Sequence, residues 1–162
     1  MVEFALTLPL LVMLLMGMFT GGIVLNQKLA IANGVREGSR FGATLPVATS
    51  CSAGAGTLSC WLTSVADVTQ SAAEGNLASS VDNLSICVAY VSPGTLPTDR
   101  TSSLTRTASG DSPSGDKCFE DERPALERRV QVVARRNGKL EYVVGTATPT
   151  LTSRSITKFE AS

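Results

Sequence analysis

From Phe4 to Leu25 the chain carries no charged side chain, and this run restricts what it can fold into more than any other feature. About 22 residues rising ~1.5 Å each make a helix of roughly 33 Å, enough to cross the hydrocarbon core of a bilayer. One acid, Glu3, stands just before the run, and the first charge after it is Lys28. Such a helix does not fold into the interior of a small soluble domain. It lies in a membrane, or it packs against copies of itself or its relatives.

The helical pattern does not stop at Leu25. After Asn26-Gln27-Lys28, the residues Ile31, Val35, Gly38, Gly42 and Leu45 recur at helical spacing, opposite Lys28, Arg36 and Arg40. One helix is therefore expected over residues 2 to 44, apolar all round in its first half and amphipathic in its second. Pro46 ends it, because the residue before a proline is biased away from helix. Pro9, inside the apolar half, removes one helical hydrogen bond. Gly17 and Gly21 have the small-x-x-x-small spacing that lets helices approach closely, although a lipid-facing pair would have the same spacing. Gly38 and Gly42 offer a similar close approach on the amphipathic stripe. Glu3 must stay wet or find a partner, since an unpaired acid in a bilayer costs at least ~2 kcal/mol. It is either an exposed first-turn acid favoured by the helix dipole or the partner of a cation on another subunit.

The remaining 135 or so residues suit one domain of modest core. Lys plus Arg and Asp plus Glu are 14 each, so the net charge is zero and a nucleic-acid partner is not expected. Histidine is absent, which removes Ser-His-Asp and Cys-His catalysis and the commonest metal ligand. No metal or cofactor is expected. Cys51, Cys60, Cys87 and Cys118 form no C-x-x-C pair, so a zinc ribbon or a thioredoxin motif is disfavoured. An even count in a small polar domain behind a membrane segment implies two disulfides in an oxidising compartment, against the alternative of four buried thiols. Of three connectivities, Cys51–Cys60 with Cys87–Cys118 is preferred: the first closes a short Gly-containing loop, the second staples a long polar one.

Along the domain, Trp61 to Ala73 reads as a short helix stopped by Gly75-Asn76, and Asn83 to Val91 as a strand. Residues 92–117, rich in Pro, Gly, Ser and Thr, read as a long surface loop. Arg129 to Val144 reads as a hairpin turning at Asn137-Gly138. A three-residue loop with a left-handed Gly138 would pair Ala134 with Leu140, Val132 with Tyr142 and Val130 with Val144, which puts the apolar residues on one face. Leu151 to Phe159 can add a last strand. The expected class is α+β: a long N-terminal helix, a short helix and an antiparallel sheet of three or four strands. Asp116, Glu120, Asp121 and Glu122 would be the carboxylates of an anchored hydrolase, but Glu120-Asp121-Glu122 reads better as a solvated acidic turn.

Two N-terminal motifs carry a family resemblance. Val2-Glu3-Phe4-Ala5-Leu6-x-Leu8-Pro9-Leu10-Leu11, followed after the apolar run by Asn33-Gly34-Val35-Arg36-Glu37-Gly38-Ser39-Arg40-Phe41-Gly42, resembles the TadE-like proteins of tight-adherence (Flp-type) pilus systems. Gly34 and Ser39 stand where that family usually has Ala. The resemblance covers about the first 44 residues; the rest is loosely similar, in the manner of actinobacterial members.

The resemblance implies a pilin-like fold and no enzymatic activity. It implies a type IV pilus pseudopilin or minor pilin that works with other pilin subunits and the pilus assembly machinery. It also implies cleavage by a prepilin peptidase after a small residue a few positions before the Glu. Only Met1 and Val2 precede Glu3, so that site is expected upstream of them. By the same analogy Glu3 is the pilin glutamate that pairs with a neighbour's N-terminal amine, with Phe4 and Pro9 in the same assembly block.

The expected organisation is an N-terminal helix over residues 1–46, transmembrane over about 4–25 and amphipathic over about 26–45, before a disulfide-stapled domain over 47–162. The chain is expected to cross the cytoplasmic membrane once, in contact with lipid, with this domain outside the cytoplasm and subunits passing into an extracellular pilus. The cations after the run argue for the opposite topology, and the cysteines outweigh them. Two other readings remain: a signal peptide cleaved after Ala32, and a membrane-anchored adhesion module that binds through the 92–117 loop or the sheet.

Overall fold

The computed structural model describes residues 2–46, 57–92, 101–124, 127–138, 140–142 and 145–159. One helix, α1, runs unbroken from Val2 to Thr44 with Pro9 inside it. It ends as its residues require. The Leu45 amide still donates to the Phe41 carbonyl (3.0 Å), but Pro46 has no amide to continue the ladder. The Trp61 indole N–H donates to the freed Leu45 carbonyl at 3.2 Å, satisfying an acceptor that the helix end leaves open.

A second helix, α2, spans Thr57–Ala72, one turn longer at its start than the apolar spacing predicts. It stops at Glu74 and Gly75, both in the left-handed region (φ 50° and 79°), with the Asn76 amide returning to the Ala73 carbonyl. The two helices pack antiparallel, since Gly42 lies by Trp61 and Val65, Gly38 by Thr69 and Gly34 by Ala73.

Five strands form an antiparallel sheet: β1 (Ser85–Val91), β2 (Ser102–Thr107), β3 (Gly110–Ser114), β4 (Arg129–Asn137) and β7 (Thr150–Lys158), in the order β3-β2-β1-β4-β7. A separate two-stranded ribbon pairs β5 (Leu140–Tyr142) with β6 (Gly145–Ala147). The helices cover one face of the sheet. Ile86 and Val88 of β1, Leu104 of β2 and Val130, Val132 and Ala134 of β4 meet Ile31, Val35, Trp61 and Val65 there. Trp61, Tyr90 and Phe159 stack with ring centroids 5.4–5.9 Å apart at the end of this core. The architecture is α+β with a long N-terminal helix and one more strand in the main sheet than expected.

The other face is also covered. The stretch after β3 crosses it: Cys118 is joined to Cys87, the Phe119 carbonyl accepts from Gln131, and Asp121 pairs with Arg129. Both faces of β4 are buried from Arg129 to Ala134, and this corrects two expectations. The first is the hairpin. A strand buried on both sides shows no period-2 contrast that fixes its partner, and β4 is central, between β1 and β7. Asn137 and Gly138 do not form its turn: Asn137 pairs with Thr150, the Gly138 amide donates to the Pro149 carbonyl (2.8 Å), and neither residue has a positive φ. Leu140–Tyr142 pairs with β6 instead.

The second is the acidic turn. The Asp121 side chain is only 3% exposed, because Arg129 and Gln131 draw it onto the sheet; Glu120 and Glu122 are exposed. The 92–117 loop is corrected as well, for Ser102–Thr107 and Gly110–Ser114 form a hairpin. Its strands carry one large apolar residue, Leu104, so periodicity did not reveal them. Gly110 (φ 129°) permits the turn, and exposed Pro113 sits on the edge strand, where no ladder donor is required.

Candidate assembly surface

One helix has two surroundings. From Ile31 to Ala43 its inner stripe is in the core, with Ile31 and Val35 at most 1% exposed. Towards the N-terminus the large apolar side chains are bare: Phe4 is 77% exposed, Met18 68%, Phe19 72% and Leu29 63%. The most apolar window of α1 has a mean hydropathy of 2.3, and none of the described residues buries it. Fourteen exposed Leu, Met, Phe, Val and Ile side chains between Phe4 and Leu29 are not stable against water, so this surface requires lipid or other apolar helices.

The residues singled out by spacing divide along the same line. Glu3 stands in the first turn of α1, Phe4 beside it is exposed, and Pro9 is exposed inside the helix. Among the described residues nothing approaches within 4 Å of a Cβ built on Gly17 or Gly21, so there is room for a neighbouring helix there. Gly38 and Gly42 instead pack within the chain. A Cβ on Gly42 would meet Val65 at 3.0 Å and Trp61 at 3.1 Å, and one on Gly38 would overlap the Thr69 side chain. Gly34, not singled out as a packing position, belongs with them: its Cβ would stand 2.7 Å from the Thr69 carbonyl oxygen. The i, i+4, i+8 spacing of Gly34, Gly38 and Gly42 was the available signal.

Ser39 was likewise read only as a departure from Ala. Its hydroxyl is buried, donates to the Arg36 carbonyl (2.9 Å), accepts from Thr157 (3.0 Å) and lies 2.7 Å from the Ser155 hydroxyl. It ties α1 to β7.

The charged clusters hold the domain together. Arg106 on β2 binds Asp111 on β3 (2.8 Å) and reaches Asp67 on α2. The Arg106 hydrogen bond holds the Asp111 carboxyl below its usual range, and the Asp111 bond in turn raises the guanidinium. For Asp121, burial pushes the pKa up, but hydrogen bonds from Arg129 and Gln131 and the Arg129 charge outweigh it, and the net shift is down. Burial lowers the pKa of Arg136, which donates to the Asn76 carbonyl at 2.7 Å. These are structural pairs, each spanning two elements. Among the described residues no group of three His, Cys, Asp or Glu side chains could hold a metal ion. Cys60 is disulfide-bonded, while its expected partner, Cys51, lies outside the described residues.

The family model described as TadE-like protein matches residues 1–40. Residues 1–40 are TadE-like. The match takes in the whole bare part of α1 and runs into its packed part as far as Arg40, leaving the sheet domain outside it. No curated protein and no solved structure is similar enough to match the chain. TadE-like proteins are a family of tight-adherence pilus assembly, and the likeness to them is confined to residues 1–40. Among the described residues one helix, α1, is long and apolar enough to cross a membrane, which is compatible with anchoring by one membrane pass.

Proposed function

We propose that this chain is a minor pilin or pseudopilin of a tight-adherence pilus, whose apolar helix passes from the membrane into a helical bundle. The observation that carries the proposal is the division of α1: TadE-like, with large apolar side chains exposed between Phe4 and Leu29, then built into the domain core from Ile31. The exchange is physical. Lipid contacts of the bare half are replaced by contacts with neighbouring apolar helices, at little cost because both surroundings are apolar. Because α1 is continuous, the domain moves with the helix as one rigid lever.

In this reading Glu3, with Phe4 and Pro9 in the same block, sets the axial position of each subunit by meeting a cation of its neighbour. Gly17 and Gly21 provide the close approach in the bundle. Prepilin peptidase acts on the precursor before Glu3, and other pilin subunits and the assembly machinery are the partners. The domain beyond residue 46, closed by the Cys87–Cys118 disulfide, stands outside the cytoplasm.

The test is Glu3→Ala in the producing cell. Membrane insertion is expected to persist while incorporation into pili, or piliation itself, falls. Normal piliation with normal incorporation would end the assignment of Glu3. An adhesion module that binds through the 92–117 loop has less to stand on, since residues 102–114 form a paired hairpin.

A further inference from the structure

We propose that copies of this chain dock side by side in the membrane, the basic α1–β7 edge of one against the acidic α2–β3 edge of the next. The proposal deepens the pilus reading and rests on it, because anchoring by α1 gives all copies one direction.

The charges fall in two sets. Beyond its uncharged run α1 carries Lys28, Arg36 and Arg40 against Glu37, and β7 carries Arg154 and Lys158 with no acid. α2 and the residues that close it carry Asp67 and Glu74, β3 carries Asp111, and β2 adds one cation, Arg106. One set is basic and the other acidic, in a chain of zero net charge.

The fold moves the two sets to opposite edges. In the sheet order β3-β2-β1-β4-β7, α2 packs on β1 and β2, and α1 on β4 and β7. α1 turns Gly34, Gly38 and Gly42 towards α2. Arg36 and Arg40 stand two positions from these glycines, about half a turn round the helix, and so face away from α2. Both are exposed, and among the described residues neither has an ion-pair partner. α2 meets α1 through Trp61, Val65, Thr69 and Ala73. Asp67, two positions from Val65 and from Thr69, faces away in the same manner, and exposed Glu74, seven positions on, shares its side. Arg106 is bound by both Asp67 and Asp111 and is 14% exposed, whereas the Asp67 side chain is 62% exposed. That edge therefore presents carboxylates.

The heights agree as well. Gly42 lies by Val65, Gly38 by Thr69 and Gly34 by Ala73. Arg40 is then level with Asp67, and Arg36 is within about one turn of Glu74. Copies at one depth in a bilayer bring these groups together without an axial slip. A two-fold contact would set Arg36 and Arg40 against themselves, like charge against like. The complementary contact is head-to-tail, and each copy added leaves an edge free for another. Exposed ion pairs are individually weak, so the contact depends on several pairs and on confinement of the copies to one membrane.

The experiment uses the full chain in phosphatidylcholine vesicles, labelled with donor or acceptor dye at Glu122→Cys, an exposed site. Energy transfer between wild-type copies is expected above the level for random mixing. It should fall severalfold in 1 M salt, where the screening length shrinks to ~3 Å. One variant, Arg36→Glu with Arg40→Glu, makes both edges acidic; another, Asp67→Lys with Glu74→Lys, makes both basic. Each alone should lose transfer severalfold, and an equimolar mixture of the two should regain it, which also shows that both fold. Transfer unchanged in the variants assigns association to the apolar helices, overturning the edge contact and leaving the pilus reading standing. Wild-type transfer at the random level, or variants that lose transfer without regaining it on mixing, also overturns the contact. A chain that does not float with the vesicles removes the anchor, and the pilus reading with it.

Discussion

Arg129 and Asp121 form a two-pronged ion pair with both side chains 3% exposed, the guanidinium donating to the two carboxylate oxygens at 2.7 and 2.8 Å. Gln131 donates to the same carboxylate at 2.8 Å, and Arg129 also donates to the carbonyls of Pro124 and Glu127. This cluster and the Cys87–Cys118 bridge hold the covering segment on the second face of the sheet. Removing one member of a buried pair costs about 3–5 kcal/mol. Because those carbonyl bonds to Arg129 survive, Asp121→Asn is expected at the lower end, about 3 kcal/mol, measured by chemical denaturation of the detergent-solubilised chain.

The same pair predicts an acid dependence. The Asp121 carboxyl has a depressed pKa in the folded state. Its contribution is therefore fully present above the unfolded carboxylate value of about 4 and is lost as pH falls through the lower folded value. The wild-type melting temperature should drop more steeply below about pH 4 than that of Asp121→Asn. Parallel pH curves for the two proteins would refute this.

The glycines of α1 should respond oppositely to the same substitution. Gly34→Ala places a methyl 2.7 Å from a backbone oxygen that cannot swing aside. A loss of about 1–3 kcal/mol is expected from such overpacking. Gly17→Ala and Gly21→Ala meet nothing within 4 Å, so domain stability should be unchanged while incorporation into pili declines. Thermal unfolding and a piliation assay separate the two groups.

Opening the Cys87–Cys118 bridge, whose cysteines are 31 positions apart, should cost about 3–4 kcal/mol by loop-closure entropy. A Cys87→Ser, Cys118→Ser double variant should also lose protection of the 117–123 segment in hydrogen exchange. Unchanged exchange there would mean that Arg129 and Asp121 suffice to hold it.

Ser39→Ala restores the residue usual in TadE-like sequences, yet it is expected to destabilise this chain by about 1 kcal/mol, because Ser155 and Thr157 lose their hydroxyl partner. A rise in stability would show that the hydroxyl cluster contributes nothing.

Local residue order alone determined α1. An uncharged run of bilayer length, an amphipathic continuation and a closing proline depend only on neighbours along the chain. For the same reason the short helix, the first strand and the last strand were legible, each with its own apolar period and breaker. The sheet order and the second buried face were decided only by tertiary structure. Arg129 and Gln131 are polar by type, and nothing local says that an aspartate from another segment will enclose them. Leu104 alone could not announce a strand, because β2 takes its place from β1 and from the Arg106–Asp111 pair. Asn137-Gly138 has the residues of a tight turn, but β4 is held by neighbours on both sides, and the ladder to β7 carries the chain straight through. Periodicity reports what a segment does with water. The identity of its partner is set by the rest of the fold.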